Sequence, residues 1–187
     1  MAVQVREKTI EEIQAKLGTM DTELNKIVYL ESALRESGFS YEIKRFLYDN
    51  LSKLFESRKM YERAGKAMAN KASMDISFKD RVENYLTAAE LYSKAGKVDD
   101  AEDMFTRANR DVGSEMKTKI RLARKNIYLI CARDLEAKGK RAGAAKFYEK
   151  LVKMNLEEFE KREIKEKLLT TYKALGLFRE ARLLEGL

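Results

Sequence analysis

Apolar side chains recur along most of this chain at steps of three and four residues, the period of one face of an α-helix. Between Tyr85 and Ala108 two such stripes follow one another. Tyr85, Ala88, Ala89 and Tyr92 form the first, and Ala101, Met104, Phe105 and Ala108 the second, with Gly96 between them. The spacing predicts two amphipathic helices joined by a tight turn that the glycine closes. Ala89 and Ala101 are small enough to let the two backbones approach, while Tyr92 and Phe105 fill the space beside them.

The arrangement returns on both sides. Upstream, Tyr48, Leu51, Ser52 and Phe55 precede Lys59, and Ala64, Ala67 and Met68 follow it. Downstream, Tyr128, Ala132 and Leu135 lead to Gly139, then Ala144 and Tyr148; Ile164, Leu168, Leu169 and Tyr172 lead to Gly176 and Ala181. The turn positions Lys59, Gly96, Gly139 and Gly176 stand 37, 43 and 37 residues apart. Four antiparallel helical hairpins are therefore expected, the third opened by a longer helix from about Glu115 to Ala137. A single hairpin cannot bury both of its stripes. Burying one Tyr, Phe or Leu gains ~1.5–3 kcal/mol, while ordering each residue costs ~1–2 kcal/mol, so the hairpins must stack.

Ahead of the first hairpin, Ile10, Ile13, Leu17, Met20, Leu24, Ile27, Val28, Leu30 and Leu34 form another helical stripe. Thr9 and Glu12 have the spacing of a capping box. Gly18, with Thr19 or Asp21 as the next N-cap, divides the stripe into two helices, and Gly38 and Ser40 read as a C-cap and the N-cap that follows it. Ser77 to Asp80 reads as the cap of the next helix, and residues 1–8 as a frayed end. The sharper use of the stripe is self-association through a coiled-coil seam. The plainer one is a pair of helices covering the open end of the first hairpin. Gly18 favours the second, because it weakens a continuous helix by ~1 kcal/mol. The expected organisation is an N-terminal helical cap over 1–38 and a repeat array over 39–187, together one domain.

Composition supports this reading. The 187 residues contain no proline and nine glycines, and 37% are charged, against about 25% in an average domain. Nothing interrupts the helices, and their exposed faces carry good helix formers. Cys131 is the sole cysteine, so no intrachain disulfide can form, and a reducing, cytoplasmic setting is expected. The longest apolar run, Ile127 to Ala132, is too short to span a bilayer. Histidine is absent, Cys131 lies among apolar neighbours, and the glycines at 139 and 143 follow a helix rather than a strand. The acidic run Asp99, Asp100, Glu102 and Asp103 is ordinary complementation of a helix dipole. No enzyme, metal or cofactor is expected.

Charge is unevenly placed. Ten basic and two acidic residues between Lys117 and Lys146 give that window +8, so the rest of a chain of net charge +7 carries −1. Lys117, Arg121, Arg124 and Lys125 fall within an arc of about 100° on a helix, and Lys138, Lys140 and Arg141 follow around the turn. Such a face suits an acidic protein segment, nucleic-acid phosphates or anionic lipid. Tyr128, Phe147 and Tyr148 belong to the core stripes, which leaves few rings to stack on bases and favours the acidic segment.

Tyr92, Gly96, Ala101, Phe105 and Ala108 together resemble the tetratricopeptide repeat (TPR), and the other units follow the same pattern more loosely. The unit here is longer than the 34 residues of that repeat, and its length is similar to the hairpins of SNAP-type vesicle-fusion adaptors. The resemblance implies an all-α, right-handed TPR-like superhelix of about four antiparallel hairpins with an N-terminal helical cap. It also implies a protein-interaction scaffold that holds a peptide or helix in a groove lined by the first helix of each pair. Carried onto this sequence, the groove positions include Asp49, Lys53 and Glu56; Glu83, Leu86, Glu90, Ser93 and Lys94; Asn126, Leu129, Arg133, Glu136 and Ala137; and Glu166, Thr170 and Lys173. Family members that clamp a chaperone's terminal carboxylates use paired Lys, Asn and Arg. Here Lys53 alone falls at such a position and Glu90 would repel a carboxylate, so that ligand is disfavoured.

Overall fold

A computed structural model describes residues 5–186 and is all-helical, with ten α-helices and no strand among them. Two helices come first, α1 (Ile10–Gly18) and α2 (Glu23–Ala33). Four hairpins follow: α3 (Tyr41–Ser57) with α4 (Tyr61–Ser73), and α5 (Phe78–Lys94) with α6 (Val98–Ala108). The last two are α7 (Ser114–Ala137) with α8 (Arg141–Val152), and α9 (Glu158–Ala174) with α10 (Phe178–Glu185). Contacts divide the chain into two compact units that meet in sequence between Asp111 and Val112.

All four hairpins turn in the same way. Lys59, Gly96, Gly139 and Gly176 have φ of 58°, 74°, 69° and 74°, the left-handed region. In each turn this residue's N–H donates to the carbonyl three residues back, and the next N–H to the carbonyl five back. Gly96 N to Ser93 O is 2.9 Å and Lys97 N to Tyr92 O is 2.9 Å; Lys59 N to Glu56 O is 2.9 Å and Met60 N to Phe55 O is 2.8 Å. This is the Schellman closure, which satisfies the free carbonyls of the first helix. The left-handed conformation costs an L-residue ~1–2 kcal/mol, so glycine is the natural occupant. Lys59 adopts it regardless, because the helices on either side pack as they do in the other hairpins.

Five residues after each turn residue stands an alanine. Ala64, Ala101 and Ala144 have no exposed surface and Ala181 has 2%. The closeness is directly visible in the first hairpin, where the Ser52 hydroxyl on α3 donates to the Ala64 carbonyl on α4 at 3.1 Å. All eight stripe residues between Tyr85 and Ala108 are buried. Within the first unit α4 packs on α5 as well as on α3. There Gly65 lies so near α5 that a β-carbon on it would stand 3.1 Å from the Tyr92 ring. In the second unit α8 packs on both α7 and α9, and the Tyr128 and Phe147 rings meet at 5.3 Å with a 59° tilt. Tyr148 donates to Glu136 at 2.7 Å and Tyr172 to Glu149 at 3.0 Å, so these buried rings keep hydrogen-bonded hydroxyls. Within each unit one second helix, α4 or α8, is thus shared between two first helices.

The amino-terminal segment matches expectation in outline and departs from it in detail. The capping box forms: Thr9 Oγ1 accepts from Glu12 N at 3.2 Å, and the Glu12 carboxylate accepts from Thr9 N at 3.3 Å. The stripe does break after Gly18, but Thr22, not Thr19 or Asp21, caps α2, accepting from Asn25 N at 3.2 Å. The Thr19 hydroxyl turns back to the Lys16 carbonyl at 2.8 Å and is unavailable. Ile13, Leu17, Ile27 and Leu30 are buried within the chain, and α2 packs on α3, so no continuous seam runs through the two helices. Gly38 is not a C-cap, because α2 ends at Ala33; Ser40 does cap α3, accepting from Ile43 N at 3.3 Å. Ser77 likewise caps α5. Residues 5–8 are not frayed: Val5 is buried, and Tyr29 donates to Glu7 at 3.0 Å. The first four residues of the expected frayed end lie outside the described residues.

Two substitutions separate the turn from the packing. Lys59→Gly removes the left-handed penalty and no ion pair, and should raise the unfolding free energy by about 1 kcal/mol, whereas Gly96→Ala should lower it by a similar amount. Denaturant titration reads both. Ala101→Arg should unfold at least the α5–α6 hairpin, because a guanidinium cannot be desolvated at a site with no exposed surface. A circular dichroism melt matching the parent would show that this alanine does not mark the closest helix approach.

Candidate partner-binding face

An ion pair links the carboxyl ends of α3 and α5, the first helices of the first unit. Lys94 on α5 reaches Glu56 on α3 at 3.3 Å and Glu90 on its own helix at 2.9 Å. Burial works against the Lys94 charge, but Glu90 and Glu56 outweigh it and hold the ammonium pKa above its ordinary value. Lys53 pairs with Asp49 at 2.6 Å, one turn away, and Lys71 of α4 meets the other oxygen of Asp49 at 2.5 Å. Leu86 is half-buried between these charges, and Glu90 is exposed. Ser93 does not line the surface: it is buried, and its hydroxyl bonds the Ala89 carbonyl of its own helix. Lys53, Leu86, Glu90 and Lys94 thus share one exposed face on which most charges already have partners.

In the second unit Asn126 and Arg133 are exposed on α7, with Leu129 half-buried between them. Glu136 accepts from Tyr148. On α9 Thr170 is exposed, its hydroxyl bonded to the Glu166 carbonyl at 2.9 Å, and Lys173 pairs with Glu185 of α10 at 2.9 Å.

The basic face is less uniform than its spacing suggests. Lys117 and Arg121 are exposed on α7. Arg124 is half-buried with its guanidinium 5.8 Å from the Tyr128 ring centre, and Lys125 is drawn onto Glu160 of α9 at 2.7 Å. Lys138 pairs with Asp134 at 2.6 Å, while Lys140 and Arg141 are exposed after the turn. The structure therefore presents two exposed pairs, Lys117 with Arg121 and Lys140 with Arg141, in place of one continuous arc. Lys125 leaves the arc because α9 places a carboxylate beside it. Tyr128, Phe147 and Tyr148 are fully buried and cannot stack on bases. Cys131 is buried.

Two polar arrangements are absent from the sequence reading. Asp75, buried in the α4–α5 connection, receives the Arg45 guanidinium at 2.7 Å and the Asn84 amide at 2.6 Å, which ties α3, the connection and α5 together. Arg81 and Tyr85 on α5 meet Asp103, Arg107, Arg110 and Asp111 around a surface pocket of about 360 Å³. Arg81 with Tyr85 and Arg107 with Arg110 have the i,i+4 and i,i+3 spacing of helix neighbours. That spacing is too common to single them out. Among the described residues no group of three or more acidic or cysteine side chains is placed to hold a metal, and no helix is long and apolar enough to cross a membrane. The chain matches no protein-family model and no curated protein sequence.

Asp49 gives this face a pH dependence. Burial pushes its carboxyl pKa upward, but Lys53 and Lys71 outweigh burial and hold it below the ordinary value of 3.8. A carboxyl depressed on folding stabilises above its unfolded value, and that stabilisation is lost as pH falls through the folded value. Asp49→Asn should therefore cost about 1–3 kcal/mol at pH 7. In urea titrations the gap between variant and parent should close as the pH is taken below about 3.8. A gap that persists undiminished in acid would assign the loss to something other than the carboxylate.

Proposed function

We propose that the protein is a TPR-like interaction scaffold that receives a partner peptide or helix on the first-helix face of its hairpins. The observation that supports this reading is the Lys94–Glu56 ion pair joining α3 and α5, with Lys53, Glu90 and Lys94 exposed and Leu86 half-buried. Alternating charge around a half-buried leucine suits a segment of mixed charge with an apolar anchor, because each existing ion pair can be exchanged for one with the partner. An exposed pair such as Lys94 with Glu90 contributes only ~0–1 kcal/mol to stability, so exchanging it costs the fold little. The exposed Lys117, Arg121, Lys140 and Arg141 of the second unit form a further contact for an acidic protein segment. The role is non-enzymatic, and the single buried thiol suits a reducing cytoplasmic setting.

The same four cations support a second reading from another class, a nucleic-acid-associated protein held by phosphates. Affinity capture separates the two. A partner retained by the parent and lost by Leu86→Glu with Lys94→Glu, at unchanged melting temperature, supports the scaffold. Retention of every captured protein by that variant would sink the first-helix face. A mobility shift with generic RNA or DNA near physiological salt, abolished when Lys117, Arg121, Lys140 and Arg141 become Glu, would favour the second reading.

A further inference from the structure

The pocket beside the α5–α6 hairpin has no part in the first-helix face, and its chemistry is specific. Arg81 stands in the first turns of α5, its guanidinium 5.0 Å from the Phe78 ring centre. Contact with a ring fixes the guanidinium plane and leaves its N–H edge free to hydrogen-bond. Arg107, near the end of α6, is held by Asp103 through Nε at 3.0 Å and Nη2 at 2.9 Å. Tyr85 also lines the pocket, and its hydroxyl carries a proton that it can donate to a bound anion. Arg110 follows just past the helix end and is exposed. Neither Arg81 nor Arg110 has an ion-pair partner among the described residues. With Arg107 and Asp103 neutralising one another, two free guanidinium groups and one hydroxyl donor face a single carboxylate, Asp111, at the rim.

From this geometry we infer that the pocket lined by Arg81, Tyr85, Arg107 and Arg110 is a binding site for a phosphate monoester. Guanidinium forks bind planar and tetrahedral oxyanions through paired hydrogen bonds. A phosphate monoester presents three acceptor oxygens and a charge between about −1.5 and −2 at neutral pH. That matches the three donor groups, and its charge outweighs the repulsion from Asp111 better than a monovalent carboxylate does. The volume of about 360 Å³ lies at the small end of ligand pockets, roughly 300–1,000 Å³. It admits a phosphate together with the side chain that carries it, so the source favoured is a phosphorylated side chain over free phosphate.

The test uses the full chain and two probes, inorganic phosphate and a short phosphoserine peptide, with the unphosphorylated peptide as control. Both probes should shift the side-chain Nε–H resonances of Arg81 and Arg110 in a saturable way, and the control should not. Saturation by the peptide at lower concentration than by inorganic phosphate identifies a phosphorylated side chain; equal concentrations identify a site for free phosphate. Arg81→Gln with Arg110→Gln should weaken peptide binding on the order of tenfold, the loss expected for charge-assisted hydrogen bonds, at an unchanged melting temperature. Asp111 has φ of 61°, a conformation asparagine also tolerates. Asp111→Asn should therefore tighten binding several-fold, while Glu11→Gln, on α1, should not. Absence of saturable shifts, or binding unaltered in the double variant, would overturn the assignment. So would equal tightening by the two carboxylate variants, since that is a general charge effect.

Discussion

A left-handed backbone residue followed five positions later by an alanine governs the geometry of this protein. The first sets the direction in which the second helix leaves the turn, and the second sets how near it can come to its partner. Each depends on the other. Without the turn the alanine would not face the first helix, and without the alanine the exit direction would drive a side chain into the opposing backbone. Lys59 shows the strength of the coupling, since a residue that pays for φ of 58° still takes up the turn geometry seen at Gly96, Gly139 and Gly176. At Lys59 the packing of the two helices offsets the strain of the turn.

Close pairing leaves each second helix with another apolar side, and this is what builds a unit from hairpins. In the first unit Gly65 on α4 accepts the Tyr92 ring of α5 where a β-carbon would crowd it. In the second, α8 serves α7 and α9 together, with Tyr128 against Phe147 on one side and Glu149 beneath the Tyr172 hydroxyl on the other. Burial pushes the Tyr172 hydroxyl up to about 12, with the Glu149 carboxylate adding to it. The phenol thus stays protonated and donating throughout the neutral range. Aromatic residues here supply both volume and a fixed polar link between neighbouring helices.

Several lysines on the exposed faces already have carboxylate partners. Lys53, Lys94, Lys125, Lys138 and Lys173 each meet a carboxylate. A partner approaching those residues exchanges one contact for another, a process that gives selectivity and rate more than raw affinity. The pocket around Arg81 and Arg110 differs because these two guanidinium groups have no ion-pair partner among the described residues, and this difference marks it as a site for an anion.

The local period of apolar residues was enough to locate the four turns, the alanines behind them, the buried rings and the caps at Thr9, Ser40 and Ser77. Each of these rests on interactions within a few residues, where chain geometry leaves little choice. Thr22 rather than Thr19 or Asp21 caps α2, the Thr19 hydroxyl being turned back to the Lys16 carbonyl, and Val5 is buried where a frayed end was expected. Of the expected basic face, Lys125 was removed by Glu160, a residue 35 positions away. The Arg81 pocket joins residues from two helices whose spacing is commonplace in each. Short-range sterics and hydrophobicity are written along the chain. The company a charged side chain keeps is decided only when distant helices come to rest against one another.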